Sequence, residues 1–231
     1  MVESGSADYG VVPVENSTEG AVTFTMDELI ETSVNVIGEK FIRISYYLIS
    51  GNGSMGGIKK LFSHPQPLGQ CKDWLRKNLP DAEVIQVDST SRAAQLASEE
   101  PASAAIASFA ASEKYKLNIL AEHIEDLREN YTRFFALGRG FNMPTGKDKT
   151  SIVCAIKDKP GALLDIIIPL KNAGINMTKI ESRPNKKKMW EYNFFIDFHG
   201  HKNDKVVQDT LEIMKNETYF LKILGSYPVG M

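Results

Sequence analysis

At 231 residues the chain is long enough for one large domain or two modest ones, and its 42% hydrophobic content excludes a disordered polypeptide. A formal net charge of −2, from 27 basic and 29 acidic side chains, gives no sign of a nucleic-acid partner. No apolar run is long enough to cross a bilayer, which argues against a membrane partner.

The first 140 residues predict an α/β domain with largely parallel sheets, because strand-like and helix-like stretches alternate along them. Thr90 and Ser91 are expected to cap one of the helices. The longest predicted helix repeats apolar residues on one face, at Leu68, Cys71, Leu75 and Leu79. The predicted strands cover residues 9–14, 41–49, 83–87 and 104–107, and the predicted helices cover 65–79, 90–99 and a segment that ends near 115.

A glycine-containing, charged segment at 138–149 interrupts this pattern and is typical of a linker. We therefore predict a first domain at 1–140, a linker at 141–149 and a second domain at 150–231. The order of elements in the second domain is βαββαβ, which predicts a ferredoxin-like fold. Its strands are expected at 150–157, 176–183, 190–199 and 220–227, and its helices at 161–173 and 203–215.

Three local features of the second domain carry expectations of their own. The strand at 190–199 alternates apolar and mostly polar residues, as in a sheet with one buried face. Pro169 should kink its helix or end it early, since proline in a helix costs about 3 kcal/mol. Lys186–Lys188 lies between two predicted strands and is expected to form a solvated hairpin loop.

The two cysteines, Cys71 and Cys154, lie far apart and have no metal-binding spacing. We predict that both are buried free thiols in a reducing compartment. Met1–Gly5 has neither the basic nor the apolar region of a secretory signal. These features together predict a cytoplasmic protein.

Polar residues form three clusters in the first domain. The first, Pro13 to Gly20, follows a predicted strand, and ligands of open α/β folds bind at the carboxyl ends of strands. A helix cap or an Asx turn is the alternative for Asn16 and Ser17.

The second cluster places Ser63 and His64 at a helix N-terminus, where anions bind, with Gln70 one turn beyond Gln66. A capping or packing role is the favoured alternative for His64. The third cluster, Asn130 to Phe134, puts the hydroxyl of Thr132 between an amide and a guanidinium, and an ordinary strand entry is its alternative.

These clusters resemble the motifs of the prephenate dehydratase family. The matching stretches, in the family's order and spacing, are DYGVVPVENSTEG, SHPQPLGQC, STSRAAQLA, AAIAS and NYTRF. The second domain resembles an ACT domain through GALL at 161–164, GINMTKIESRP at 174–184 and FIDFHGH at 195–201. The resemblance implies a two-lobed, periplasmic-binding-protein-like catalytic domain followed by a ferredoxin-like ACT domain. Family members begin with a further strand, glycine-rich loop and helix, so the resemblance also implies a catalytic domain that is incomplete at its N-terminus.

The resemblance implies conversion of prephenate to phenylpyruvate, water and carbon dioxide, without a cofactor or a metal. It implies that Thr132 donates to the leaving hydroxyl and that Glu15 supports Asn16. Asn16, Ser63 and Gln70 would orient the substrate. Further substrate contacts are expected from Ser17, Thr90, Ser91 and Arg133. For Arg133 the alternative is an ion pair.

The ACT resemblance implies feedback by L-phenylalanine, bound at an interface between two chains of a dimer or tetramer. For Gly161 and Asn176, simple turn positions are the alternatives. The residues expected to contact the effector are Gly161, Ala162, Leu163, Asn176, Glu181, Ser182, Arg183 and Pro184.

Other functions compete with this interpretation. Gly51–Gly56 spells G-x-G-x-x-G, a dinucleotide-binding pattern, but no long helix is predicted after it and a turn between strands is favoured. His199 and His201 lack a carboxylate or cysteine companion, so a metal site there is not expected. A non-catalytic amino-acid sensor and an arogenate dehydratase remain as alternatives to a prephenate dehydratase.

Overall fold

The computed structural model describes residues 1–157, 159–185 and 192–230. The chain forms two compact units, and the second is inserted into the first. Unit 1 comprises Met1–Ile42 and Tyr131–Met231, and unit 2 comprises Arg43–Asn130. Within the described ranges, no helix is long and apolar enough to cross a membrane.

Strands and helices follow one another in a mixed order along the chain. The elements are β1 (Tyr9–Asn16), β2 (Gly20–Ala21), α1 (Thr23–Glu31), β3 (Asn35–Arg43), β4 (Tyr47–Ser50), β5 (Lys60–Ser63), α2 (Pro65–Gln70), α3 (Lys72–Asn78), β6 (Glu83–Gln86), α4 (Thr90–Glu99), β7 (Ser103–Ala107), α5 (Phe109–Tyr115), β8 (Asn118–Ala121), β9 (Tyr131–Gly138), β10 (Asp148–Ile156), α6 (Ala162–Asn172), β11 (Met177–Pro184), β12 (Tyr192–His199), α7 (Lys205–Asn216) and β13 (Thr218–Pro228).

Unit 1 contains two four-stranded sheets. The first, which we call the N-terminal sheet, has the order β2-β1-β9-β3, and the second has the order β11-β12-β10-β13. All three pairings in the second sheet are antiparallel, and the helices α6 and α7 pack on one of its faces. The predicted ferredoxin-like βαββαβ unit is therefore confirmed.

The other face of the ferredoxin-like sheet is also buried. Phe195 on β12 and Tyr227 on β13 share a core with Val14 of β1, Met26 of α1 and Phe135 of β9. The expectation of one exposed polar face is therefore wrong for this sheet: Asn193 and Asp197 on β12 are buried as well. Trp190 and Glu191, which belong to the same predicted pattern, and Lys186–Lys188 lie outside the described residues.

Unit 2 is built on a five-stranded mixed sheet with the order β6-β5-β7-β4-β8. β5 is parallel to β6 and β7, whereas β4 is antiparallel to β7 and β8. Since the β1–β9 pair of unit 1 is also antiparallel, the predicted predominance of parallel pairing is wrong. Small side chains of α4 and β7 form one core, and residues of the predicted apolar helix face, including Cys71, join another.

Two predicted elements are each divided in the structure. The strand predicted at 41–49 is split between β3 and β4, because the amide of Ile44 donates to the carbonyl of Asn130 and that of Tyr46 donates to the Glu125 carboxylate. The helix predicted at 65–79 is split at Cys71 into α2 and α3.

Asp126 explains the division of this helix. Its amide donates to the carbonyl of Gln70, and its carboxylate accepts from the amides of Asp73 and Trp74, both at 3.0 Å. First-turn amides lack partners inside a helix, so the carboxylate satisfies two groups that α3 leaves open. A cap from more than 50 residues away leaves no local sequence pattern.

Two helix details also differ from expectation. Ser89, and neither Thr90 nor Ser91, caps α4, with its hydroxyl accepting from the amide of Arg92 at 3.1 Å. The early end expected at Pro169 is wrong, because α6 continues to Asn172 with Pro169 buried inside it. Burial of the ring against the core offsets part of the lost hydrogen bond, and a kink there stays a prediction.

Candidate functional site

The first site group is an amide–hydroxyl pair on neighbouring strands of unit 1. Asn16 and Thr132 face each other in the antiparallel β1–β9 register, and Asn16 Nδ2 donates to Thr132 Oγ1 at 2.9 Å. Asn16 Oδ1 accepts from the amides of Thr18 at 3.0 Å and Glu19 at 3.1 Å. Backbone amides can only donate, so these two bonds fix the orientation of the Asn16 amide and aim its NH2 group at Thr132.

This orientation determines what Thr132 can do chemically. Its oxygen accepts from Asn16, which leaves the hydroxyl proton available to donate to another group. Thr132 is partly exposed, whereas Asn16 is buried. Ser17 closes the adjacent turn, because its amide and hydroxyl bond the carbonyl and amide of Tyr131, both at 2.9 Å. The pair is therefore a supported hydroxyl donor at a strand end.

A second group lies in unit 2, where β5 ends. Ser63 is fully buried and its hydroxyl donates to the His64 carbonyl at 3.1 Å. His64 caps α2, since its Nδ1 accepts from the amide of Gln66 at 3.3 Å, which confirms the capping alternative. α2 is six residues long, and the anion site expected at its N-terminus stays a prediction.

Gln70, the last residue of α2, is held by a residue that the sequence did not assign to the site. Asn130 Nδ2 donates to Gln70 Oε1 at 2.8 Å. Because Oε1 is the acceptor in this bond, the NH2 group of Gln70 points away from Asn130 and can act only as a donor. Asn130 stands at the start of the NYTRF stretch, so that motif contained a signal for it. Thr90 and Ser91 lie in the first turn of α4, where Ser91 is exposed.

Arg133 points to the opposite face of β9 from Thr132, as strand alternation requires. Its guanidinium contacts Glu39, Asp197 and the hydroxyl of Tyr227, and only 5% of its side chain is exposed. Lys149 donates to the other Glu39 oxygen at 2.8 Å. These contacts favour the ion-pair alternative for Arg133 over a substrate contact.

This buried network shifts the pKa values of its members. Burial alone would raise the pKa of Glu39, but the Arg133 charge and the Lys149 hydrogen bond hold it below its usual value. Burial raises the pKa of Tyr227, and the nearby Asp197 carboxylate raises it further. Glu39 is therefore an ionised acceptor, and Tyr227 is a neutral phenol whose oxygen accepts from Arg133.

Glu15 occupies the same side of the strand pair as Arg133. Its carboxylate lies 2.8 Å from the Lys179 ammonium and 3.7 Å from the Arg133 guanidinium. Its expected support of Asn16 stays a prediction, and these ion pairs are the contacts that the structure gives its carboxylate.

The residues expected to contact an effector lie at the start of α6 and along β11. Gly161 adopts a left-handed conformation with φ of 81°, directly before α6, and a Cβ added there would meet no atom within 4 Å. β11 is an edge strand of its sheet. Ser182 and Pro184 are exposed on it, whereas Arg183 turns inward to Asp27 at 3.3 Å. The carbonyl of Asn176 accepts from the amide of His199.

The competing motifs take ordinary structural positions. Gly51–Gly56 lies in the turn between β4 and β5, as the favoured alternative predicted. His201 is buried, where its Nδ1 accepts from the amide of Asn203 and its Nε2 lies 3.1 Å from the carbonyl of Asn142. Across the residues that the structure describes, no cluster of three or more metal-binding side chains occurs.

Comparisons with known proteins agree with this arrangement. The chain is 48% identical over 230 residues to a bifunctional chorismate mutase/prephenate dehydratase of Aquifex aeolicus, covering 100% of this chain and 64% of the relative. A prephenate dehydratase of Arthrobacter aurescens in complex with L-Phe superposes with a TM-score of 0.88 at 36% identity, over 99% of this chain and 77% of that one. A structure described as a novel type of quorum quenching acylase gives 0.87 at 27% identity, over 99% and 84%.

The chain spans 62–65% of the length of four bifunctional chorismate mutase/prephenate dehydratases that it matches at 43–48% identity. Family models match two consecutive parts of the sequence. Residues 150–215 match the ACT domain, and residues 1–142 match prephenate dehydratase. By these matches, the chain belongs to the prephenate dehydratase family and carries an ACT domain.

Proposed function

We propose that the chain acts as a prephenate dehydratase, converting prephenate to phenylpyruvate, carbon dioxide and water. The observation that carries the proposal is the Asn16–Thr132 pair, which holds a threonine oxygen as an acceptor and leaves its proton to donate. The reaction needs a donor to the leaving hydroxyl, and a correctly placed proton donor contributes about 10²–10⁴-fold.

The chemistry is a fragmentation driven by aromatisation. The bond between the ring and its carboxylate breaks, its electron pair enters the ring, and the carbon–oxygen bond at the opposite ring carbon breaks. The hydroxide that leaves takes a proton from Thr132 and becomes water, and solvent returns the proton to Thr132. Asn16 donates to the Thr132 oxygen and stabilises the negative charge that develops there.

Other residues are proposed to serve the same reaction by binding and orienting prephenate. Gln70 is supported in this role by the bond that Asn130 donates to its side-chain oxygen, which holds the side chain in place. Ser63, Ser17, Thr90 and Ser91 are proposed as further hydroxyl contacts. Glu15 is proposed to hold the strand that carries Asn16.

The fold by itself does not identify the reaction. A protein described as a quorum quenching acylase shares the fold, so the side chains must carry the argument. The decisive comparison is Thr132→Ala against Thr132→Ser, because serine keeps the hydroxyl and alanine removes it. We expect the alanine variant to lose turnover by about 10²–10⁴-fold and the serine variant to retain most of it.

Phenylpyruvate absorbance measures the turnover, and circular dichroism checks that both variants are folded. Turnover of Thr132→Ala within tenfold of the unchanged chain would remove the proposed donor. The same assay with arogenate tests the arogenate dehydratase alternative. Binding of L-phenylalanine without turnover of either substrate would favour the non-catalytic sensor.

We also propose L-phenylalanine as an allosteric effector of the ACT domain. The support is the L-Phe complex of a similar structure, together with the open space beside the left-handed Gly161. The proposed contacts are Gly161, Ala162, Leu163, Asn176 and the segment Glu181–Pro184. Calorimetric titration should give saturable heat with L-phenylalanine and none with the D enantiomer. Equal responses to both enantiomers would contradict a stereospecific site.

Self-association through the ACT domain is proposed as well, as a dimer or tetramer. Leu163, Leu164 and Ile168 on α6 expose 39–57% of their surface, and Ile180 on the edge strand β11 exposes 38%. Exposed apolar residues on a helix and on an edge strand are suited to burial by a second copy. Leu164→Glu should shift the sedimentation coefficient to that of a monomer. A cytoplasmic location is proposed on the two buried free thiols, Cys71 and Cys154.

A further inference from the structure

Lys179 belongs to the GINMTKIESRP stretch of β11 but has no role in the proposed reaction or in effector contact. Its Nζ lies 2.8 Å from Glu15 Oε2, and 13% of the Lys179 side chain is exposed against 37% of Glu15. The β11–β12 pairing shifts register between Met177 and Lys179. A bulge at such a point re-aims the next side chain, here towards the N-terminal sheet.

The ion pair connects two segments with different proposed functions. On the ACT side, Glu181–Pro184 begins two residues after Lys179 on the same strand. On the other side, Glu15 immediately precedes Asn16, whose amide donates to Thr132. Three short steps therefore separate the proposed effector segment from the proposed proton donor: an ion pair, one peptide unit and one hydrogen bond.

A second ion pair between the N-terminal sheet and the ferredoxin-like sheet is much more deeply buried. Arg133, adjacent to Thr132, binds Asp197 of β12, and both side chains are 5% exposed. Charges buried this deeply are costly to separate, so this contact holds the sheets in one arrangement. The part-exposed pair of Lys179 and Glu15 costs less to break, because water replaces the lost partner. Together with the part-exposed pair of Arg183 and Asp27, it is therefore a contact that a shift of β11 can alter.

We propose that Lys179 is a positioning residue that transmits the effector state of β11 through Glu15 to the Asn16–Thr132 pair. The inference rests on the proposed function, because it presumes an effector at the ACT domain and a reaction at Thr132. When L-phenylalanine moves β11, the Lys179 ammonium moves relative to Glu15, and the end of β1 that carries Asn16 follows.

The test compares Lys179→Met with Lys179→Arg, and with Lys205→Met as a matched loss of a lysine charge. Lys205 pairs with Asp209 on the exposed surface of α7, with 83% of its side chain exposed. For Lys179→Met we expect the dissociation constant of L-phenylalanine to change by less than about threefold. We expect kcat without effector to fall severalfold at unchanged KM. The change in KM or kcat on saturation with L-phenylalanine, commonly about 5–150-fold in coupled sites, should drop below twofold.

Lys179→Arg should restore the response to L-phenylalanine, and Lys205→Met should keep it. An unchanged response in Lys179→Met, or loss of L-phenylalanine binding in that variant, would overturn the inference. In the second case Lys179 would be an effector contact.

Amide exchange separates this inference from the proposed function. Lys179→Met should speed amide exchange in the peptides that contain Asn16 and Thr132. The far end of the same strand pair, where Tyr9 faces Gly138, is the internal reference. The increase in exchange rate at the Asn16 end should be at least about threefold larger than at that reference. If the unchanged chain neither turns over prephenate nor binds L-phenylalanine, the proposed function fails. In that case uniform exchange along the strand pair would overturn the positioning role, and faster exchange confined to the Asn16 end would uphold it.

Discussion

Replacing Arg133 by methionine is the sharpest test of how unit 1 is held together. The buried network contains two cations, Arg133 and Lys149, and two anions, Glu39 and Asp197. The side chains of Glu39 and Asp197 are 0% and 5% exposed. Arg133→Met keeps much of the side-chain volume but leaves one uncompensated negative charge in the core.

Removing one partner of a buried ion pair destabilises a protein by about 3–5 kcal/mol. Domains of this size are commonly stable by about 5–15 kcal/mol, so the loss is a large fraction of the total. Arg139→Met provides the matched control, since Arg139 is 56% exposed and its nearest carboxylate, on Asp8, is 4.0 Å away. An exposed pair of this kind contributes about 0–1 kcal/mol.

The double variant Arg133→Met/Asp197→Asn restores neutrality, with Glu39 still paired to Lys149. Its destabilisation should be about 1–3 kcal/mol less than the sum of the two single changes. Urea unfolding followed by circular dichroism gives the free energies, and amide exchange of β9 and β12 peptides assigns them to unit 1. Additivity within about 0.5 kcal/mol, or a loss equal to that of Arg139→Met, would refute the reasoning.

Two further predictions concern close packing. Gly225→Ala should destabilise unit 1 by about 3 kcal/mol or more in urea unfolding, because the new Cβ would lie 1.9 Å from the carbonyl oxygen of Val36 and the backbone must move. Gly140→Ala is the matched control, because a Cβ added at Gly140 would meet no atom within 4 Å. Burial raises the pKa of the Cys71 and Cys154 thiols to about 12. Both should therefore react with a thiol reagent at pH 8 only as fast as the chain unfolds. Rapid labelling of the folded chain would show instead that the thiols are accessible.

The second domain was predictable because its signals are local. The apolar alternation of β12 lies within one element, and the order of strands and helices along the chain specifies the ferredoxin-like unit. The start of α1, by contrast, carried no signal, since Val22 precedes it without a side-chain cap. The strands β3 and β4 merged into one prediction because the residues that separate them, Ile44–Tyr46, favour strands themselves.

The parts of the site that were not predicted depend on contacts between residues that lie far apart in the sequence. Arg133 meets Glu39 across 94 residues and Asp197 across 64, so no window of sequence reveals that the guanidinium is already occupied. Asn130 meets Gln70 across 60 residues. Asn16 meets Thr132 across 116 residues, and the family resemblance implied only that the two residues serve one reaction.

The buried charges also determine which face of β9 presents the hydroxyl. A slip of one residue in the β1–β9 register would turn Thr132 inward and Arg133 outward, because side chains alternate between the two faces of a strand. Glu39 and Asp197 would then lose their buried cation, at a cost of several kcal/mol. Apolar residues in place of this network could be as stabilising, but they would tolerate the slip far better. The network behind the strand therefore specifies the register on which the Asn16–Thr132 pair depends.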